Sequence, residues 1–374
     1  MISLFSLILL LYVISILFYT FKFDTFNQIE IDDDDVQKTT FSIIIPFRNE
    51  EKHLLHLLNT LSQLKYPSDL FEILLVDDES KDESVSTCED WKSKNPDLNI
   101  RILNNQFKTK SPKKSAILTA LYQVKNQYVL TTDADCLLPE NLLLHYNNVI
   151  IKNQSDLIAG PVKIIEDSSF WTKFQVLDMM SLQVIGLGSF KTSDALYCNA
   201  ANLCYRTKTL KTLNAFQSHG HITSGDDVFT LEAFKQHKKK INAIYHEEAI
   251  VWTTPEQNFN ALTQQRIRWA SKAKYYENTW LKVIGVLVLT TNLILIISLI
   301  LAFFFRSFLQ FYWLWLFKLG IDFFTLYIGN KFFKTNLCLR DYITMLLIYP
   351  FVSTYLGLLA LKGNYSWKGR DYNV

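Results

Sequence analysis

Residues 127–135 read QYVLTTDAD, an apolar run that ends in two carboxylates, Asp133 and Asp135. A short continuous apolar run of this kind predicts a strand buried on both faces. The same signature occurs twice upstream: FEILLVDD (71–78) ends in Asp77 and Asp78, and FSIIIP (41–46) is ended by Pro46. Between these strands, Leu54, Leu57, Leu58, Leu61 and Leu64 fall at helical spacing within 50–64. Residues 82–94 and 113–125 also read as helices, and 100–103 as a short strand. Strand, helix, strand, helix, strand predicts an α/β domain around a largely parallel sheet. Ligands on such sheets bind beyond the carboxyl ends of the strands. Pro46 to Glu50, Asp77–Asp78 and Asp133–Asp135 all fall at those ends, which is the first functional signal.

The rest of the chain is different in kind. Its 374 residues carry 38 basic and 36 acidic side chains, a net charge of +2 that gives no support to a nucleic-acid partner. Residues 1–21, 283–305 and 343–361 contain no charged side chain, and 307–330 carry only Lys318 and Asp322. Runs of about 20 apolar residues are long enough to cross a bilayer as helices. The expected organisation is a transmembrane anchor at 1–22, an acidic linker at 23–37, and a domain at 38–280 ending in an interfacial helix. Two or three membrane helices at 281–361 and a basic tail at 362–374 follow. No Lys or Arg precedes the first run and no small-x-small site follows it, so an uncleaved anchor is expected. Lys22, just after the run, places the N-terminus outside and the large domain in the cytoplasm of a multi-pass inner-membrane protein. The charge rule does not close at the other end. Lys331, Lys334 and Arg340 want the loop before residue 342 inside, while Lys362, Lys368 and Arg370 want the tail inside too. Lys318 and Asp322, one turn apart, could pair, which marks 307–330 as the candidate for a helix that faces other protein or lies partly at the interface. The five cysteines form no CxxC pair and suit a reduced compartment.

Four motifs carry chemistry. In TTDADC, two carboxylates separated by one residue repel unless a cation or proton lies between them. Oxygen ligands suit Mg²⁺ or Mn²⁺ shared with phosphates, and a solvated strand-end turn is the plainer alternative. Asp77 and Asp78 could accept hydrogen bonds from a nucleobase or ribose, or Asp78 or Ser80 could cap the helix that follows. SGDDVFTLEAF (224–234) opens a helix, so Asp226 and Asp227 either serve its N-terminus or present a general base. In TQQRIRWA (263–270), Gln265, Arg268 and Trp269 share one helical face. An arginine fork suits a diphosphate, a tryptophan suits a sugar ring, and an amphipathic helix lying on the membrane explains the same residues. Lys113 and Lys114 open a helix, where a cation is unfavourable unless an anion is nearby. His219 and His221 form an H-x-H with no evident third ligand. GxxxxGK[ST], GxGxxG and HExxH are all absent from the sequence, so ATP hydrolysis, dinucleotide redox chemistry and zinc proteolysis have no support.

FSIIIPFRNEE, LLVDDESKDES, TTDADC, SGDD and QQRIRW, in this order, resemble the membrane-bound glycosyltransferases of family 2. That group includes cellulose, hyaluronan and poly-N-acetylglucosamine synthases and smaller enzymes that glycosylate lipids. The resemblance implies a GT-A fold and an inverting, metal-dependent hexosyl- or N-acetylhexosaminyltransferase using a UDP-linked sugar, with Mg²⁺ or Mn²⁺ as cofactor. It implies a nucleotide site formed by Pro46, Arg48, Asn49, Glu50, Asp77, Asp78, Lys114 and Asp133, although Lys113 stands where the family's lysine motif has glycine. It makes Asp133 and Asp135 the metal ligands, Asp227 the catalytic base with Asp226 beside it, and Gln265, Arg268 and Trp269 the diphosphate and acceptor residues. The closing SWKGR (366–370) also resembles the family's tails. Sugar specificity is expected around Asn199 and Asn202. The acceptor is expected to be a membrane-associated lipid or glycan. A processive polysaccharide synthase and a non-catalytic nucleotide-sugar-binding membrane subunit are the two alternatives.

Overall fold

The computed structural model describes residues 2–25, 38–107, 109–218, 222, 224–305, 308–361, 365–368 and 370–372. The acidic linker and the His219/His221 pair fall outside the described residues. Two compact units emerge. One comprises Phe26–Lys163 and Tyr197–Thr254, the other Met1–Thr25, Ile164–Leu196 and Pro255–Val374.

The first unit is α/β. Its strands are β1 (Phe41–Phe47), β2 (Phe71–Asp77), β3 (Ile100–Asn104), β4 (Tyr128–Thr131), β5 (Cys136–Leu137), β6 (Leu157–Ala159), β7 (Val162–Ile164), β8 (Leu203–Arg206), β9 (Ile241–Ala243) and β10 (Val251–Thr253). Seven of them form a sheet in the order β3-β2-β1-β4-β8-β6-β9, and β5-β10-β7 form a small second sheet. β1 runs parallel to both β2 and β4, and β2 parallel to β3, while β8 is antiparallel to β4 and β6. The expected largely parallel sheet is present. Every residue of β2 is buried, as a parallel strand covered on both faces requires. Helix Leu54–Leu61 turns Leu54, Leu57, Leu58 and Leu61 into the core, each stabilising the fold by about 1.5–3 kcal/mol. Helix Pro112–Leu121 has proline in its first turn, where the missing N–H leaves no bond unmade.

Two strand boundaries differ from the sequence expectation, for one reason. β1 continues through Pro46 to Phe47, and β4 stops at Thr131 rather than running to Asp135. The Ile44 carbonyl accepts the Thr132 N–H at 3.3 Å, so Pro46, two residues on, faces the same side. A proline cannot donate the next rung. β4 therefore ends there, and Asp133–Asp135 form a turn closed by Cys136 N–H donating to the Asp133 carbonyl at 3.2 Å.

The second unit is helical. Among the described residues four helices are long and apolar enough to cross a membrane: Ser3–Asp24, Thr279–Phe305, Phe311–Phe333 and Leu339–Ala360. Helix Phe170–Ser189 and helix Phe259–Ser271 belong to the same unit. Helix Ile2–Asp24 and helix Phe170–Ser189 approach so closely that a Cβ on Gly188 would lie 2.3 Å from the Tyr19 carbonyl oxygen. Lys318 and Asp322 do pair, at 2.6 Å, with Lys318 fully buried. The Tyr12 hydroxyl donates to the same aspartate at 2.6 Å, so this segment faces protein as expected. Residues Tyr365–Trp367 and Arg370–Tyr372 close the chain as a short antiparallel strand pair.

Candidate active site

Three loops leave the carboxyl ends of β1, β2 and β4. Register puts Phe47, Asp77 and Asn104 side by side on β1, β2 and β3. The loops after β1 and β2 are laced together. Arg48 Nη1 donates to the carbonyls of Asp78 (2.5 Å) and Glu79 (3.1 Å). Asn49 N–H donates to Ser80 Oγ at 3.1 Å, Lys81 N–H to Asn49 Oδ1 at 2.8 Å, and Glu50 N–H to Ser84 Oγ at 2.8 Å. Asn49 and Glu79 both adopt left-handed backbone conformations, φ 50° and 61°. A side chain of glutamate's size takes that region at a cost of about 1–2 kcal/mol, which these cross-bonds offset. Asp77 and Asp78 are both buried. Asp77 Oδ1 accepts the Ser80 N–H at 3.0 Å, and Asp78 Oδ1 accepts from Asn105 Nδ2 at 2.8 Å. Pro46 to Glu50 and Asp77–Asp78 are thus brought together as one rigid rim.

The loop after β4 meets a different partner. Lys113 Nζ lies 2.6 Å from Asp133 Oδ1 and 3.0 Å from Asp226 Oδ2. A single ammonium therefore bridges the acid of TTDADC and the acid of SGDD. Burial works against the charged form of Lys113, but the fields of Asp133 and Asp226 outweigh it and its pKa is raised. Asp227 caps helix Val228–Gln236, its Oδ1 accepting the Val228 N–H at 2.7 Å. Capping fixes the carboxylate's orientation and does not compete with a role as base. Asp135 Oδ2 accepts from Thr254 Oγ1 at 3.2 Å. Burial, then the charge of Asp133, pushes the Asp135 carboxyl up to about 6. Lys114 turns inward instead: it is 1% exposed, donates to the Ile222 carbonyl at 3.1 Å and lies 5.2 Å from the Phe229 ring. The unfavourable cation pair at this helix start has its anions, and the residue that reaches them is Lys113.

Asn202 does not line a pocket. It is fully buried, accepting from Tyr146 Oη at 2.7 Å and donating to the carbonyls of Pro161 and Ala249, each at 2.9 Å. All its polar capacity is spent inside the core, so sugar choice is not read there.

Gln265, Arg268 and Trp269 lie on helix Phe259–Ser271 of the helical unit. Gln265 Nε2 donates to Glu256 Oε1 at 2.9 Å. Trp269 packs against a cluster of Ile164, Val176 and Met179. Its ring also carries the Arg266 guanidinium, 4.2 Å from the centroid. Arg266 is anchored by Asp178 at 2.6 Å, a contact no motif announced. Arg268 is half-buried on the same helix.

The sequence model described as "Glycosyltransferase like family 2" matches residues 38–272. The chain belongs to that family. As a family 2 chain it is similar to the poly(ribitol-phosphate) β-N-acetylglucosaminyltransferase TarS of Staphylococcus aureus (strain Mu50 / ATCC 700699). The identity is 26% over 194 residues, 52% of this chain and 32% of TarS. It is also similar to a poly(ribitol-phosphate) β-glucosyltransferase of Bacillus spizizenii, 28% identical over 207 residues, 53% of this chain and 30% of the relative. The match thus spans about a third of the length of each curated relative. The mannosyltransferase PcManGT of Pyrobaculum calidifontis, solved in complex with GDP-Man and Mn²⁺, has the same fold. Its TM-score is 0.54 at 15% identity, covering 97% of both chains. The family and the GT-A fold class expected from the sequence are both present.

Proposed function

We propose that this chain is an inverting, metal-assisted glycosyltransferase that moves a sugar from a UDP-linked donor to a membrane-associated acceptor such as a lipid. The observation that carries the reading is the Lys113 bridge: acids from two motifs far apart in sequence, Asp133 and Asp226, meet on one ammonium at a strand's carboxyl end. The strand-end rim of Arg48, Asn49, Glu50, Asp77 and Asp78, of which the two aspartates are buried, supplies hydrogen-bonding groups for a base and ribose, with Pro46 ending the ladder beside them.

The donor set fits a hard divalent cation. Asp133 and Asp135 offer oxygen only, and Asp135, raised by burial and then by the neighbouring Asp133 charge, is a carboxylate whose charged form a cation would favour. Bound there, Mg²⁺ or Mn²⁺ would neutralise charge on the departing diphosphate. Asp227, oriented by its bond to Val228 N–H, takes the proton of the acceptor hydroxyl. The new bond from that oxygen to the anomeric carbon forms as the bond to the diphosphate breaks on the opposite face, and the electron pair leaves with UDP. Lys113, already between carboxylates, offers its ammonium to a phosphate oxygen. The roles of Gln265, Arg268 and Trp269 at diphosphate and acceptor rest on the motif and belong to the same proposal.

Four apolar helices in a chain of this family support an acceptor held at the membrane, and Lys22 supports a cytoplasmic α/β unit. The test uses membranes holding the full chain, supplied with UDP-sugar and Mn²⁺. Asp227→Asn is expected to lower transfer at least about 10³-fold while UDP affinity stays within about threefold. Normal turnover by this variant would remove the proposed base.

A further inference from the structure

Away from the carboxylates described above, the α/β unit holds a second cluster of coordinating side chains. His145 lies on helix Leu142–Asn153, His246 precedes the short 3₁₀ turn Glu247–Ala249, and Glu248 lies on it. One donor atom from each lies within 4.8 Å of the others, the single such trio among the described residues. The imidazole rings of His145 and His246 lie in tilted contact, with centroids 4.2 Å apart and an interplanar angle of 30°. Glu248 Oε2 lies 3.7 Å from His145 Nε2 and accepts from Asn141 Nδ2 at 2.9 Å.

The second observation is the state of His145. It is 3% exposed, yet its Nε2 is buried with no hydrogen-bond partner, and it points at Glu248. An orphaned polar nitrogen inside a protein costs about 1–3 kcal/mol and calls for an explanation.

We propose that His145, His246 and Glu248 form a second metal site, for Zn²⁺ or a similar borderline divalent ion. Two imidazole nitrogens and one carboxylate suit zinc, whereas the all-oxygen pair Asp133–Asp135 suits Mg²⁺ or Mn²⁺. A tetrahedral ion with bonds of about 2.0–2.2 Å holds its donors about 3.3–3.5 Å apart. His145 Nε2 and Glu248 Oε2, 3.7 Å apart, already lie a few tenths of an ångström from that spacing, and no two donors of the trio are more than 4.8 Å apart. Asn141 already orients the Glu248 carboxylate, holding the oxygen that faces His145.

The location gives the site a purpose. The Glu247–Ala249 turn leads directly into β10, which pairs antiparallel with β5 through Trp252↔Leu137 and Thr253↔Cys136. At the far end of that ribbon Asp135 accepts from Thr254. An ion tying helix Leu142–Asn153 to the turn before β10 pins one end of the ribbon whose other end carries the Asp135 carboxylate.

The full chain, purified in detergent and stripped with chelator, is titrated with Co²⁺ as a spectroscopic probe and with Zn²⁺, all in a Cys338→Ser background so that the exposed thiol does not bind metal. One equivalent of Co²⁺ giving the intense visible bands of a four-coordinate site is expected. Zn²⁺ should displace it and raise the unfolding temperature by about 5 °C. Both His246→Asn and Glu248→Gln, at partly exposed positions, should weaken binding by about 10–100-fold. Asp133→Asn with Asp135→Asn should leave the titration unchanged. Equal Zn²⁺ affinity in the parent and in His246→Asn, loss of the bands in the aspartate pair variant, or no saturable binding below about 100 µM would each overturn the site.

Discussion

Replacing Lys113 by Met, which keeps the length of the stem and removes the charge, isolates the bridge on which the catalytic reading stands. At an effective dielectric constant of about 20, separations of 2.6 and 3.0 Å correspond to gross attractions of about 6 and about 5.5 kcal/mol. Most of that is cancelled by desolvation of three charges. Truncating one partner of a buried pair costs about 3–5 kcal/mol, and the side-chain exposures here, 21% for Lys113, 37% for Asp133 and 12% for Asp226, admit solvent screening. A loss of about 2–3 kcal/mol at pH 7.5 is therefore expected, read as a fall of about 5–10 °C in the unfolding temperature of the detergent-solubilised chain. Two signatures distinguish electrostatics from a packing defect. The deficit shrinks as pH falls from 8 toward 5, because the neighbouring Asp135 carboxyl, pushed up to about 6, takes a proton and relieves part of the repulsion that Lys113 had balanced. Millimolar Mn²⁺ stabilises the variant more than the parent, because the cation takes over the neutralising role. In a double-mutant cycle with Asp226→Asn the coupling should exceed about 1 kcal/mol. A variant as stable as the parent from pH 5 to 8, with the same response to Mn²⁺, would refute the bridge.

Three further outcomes follow from the same geometry. Because the Asp135 carboxyl is pushed up to about 6, protons compete with the metal below that pH: Mn²⁺ affinity, followed by the free-ion EPR signal, should hold above pH 7 and fall by up to about tenfold per unit below 6. Gly160→Ala should cost about 2–4 kcal/mol or abolish accumulation of folded protein, since its Cβ would lie 2.2 Å from Asn202 Nδ2, a group already committed to two carbonyls; denaturant or thermal melts measure it. Lys318→Leu alone should destabilise the detergent-solubilised chain by about 3 kcal/mol by leaving Asp322 with one partner, whereas Lys318→Leu with Asp322→Leu should come within about 1 kcal/mol of the parent.

The α/β core was legible because its signals are local. FEILLVDD and QYVLTTDAD each declare a buried strand by their apolar runs, and the leucines of 54–61 declare a single face. The strand ends were legible to within a few residues, and the discrepancy came from one atom, the nitrogen of Pro46, whose effect appears only when β4 is laid beside β1. The acidic motifs were visible as motifs, but their meeting was not. Nothing in the order of residues says that Lys113 rather than Lys114 reaches Asp133 and Asp226; that depends on which side of helix Pro112–Leu121 faces the core. The clash of a cation with a helix N-terminus was the one local hint. Arg266 and Asp178 left no such hint, because an arginine beside a named one draws no notice until its partner is seen. Asn202 failed in the opposite direction: a polar residue among small ones reads as a pocket wall, and only its three saturated hydrogen bonds show it to be core.

The Tyr12–Asp322–Lys318 triad bears on how the chain is made. Helix Phe311–Phe333 has the lowest mean hydropathy of the four apolar helices, 1.2, because it carries an acid and a base within one turn. Each such charge placed at mid-bilayer opposes insertion by about 2.5–3.5 kcal/mol. The phenol that accompanies Asp322 belongs to helix Ile2–Asp24, which precedes residue 322 in the chain and is therefore made before it. A hydroxyl supplied by an earlier segment thus shares, with Lys318, the charge of a later segment that would enter a bilayer poorly alone, and a chain without helix Ile2–Asp24 would leave Asp322 to Lys318.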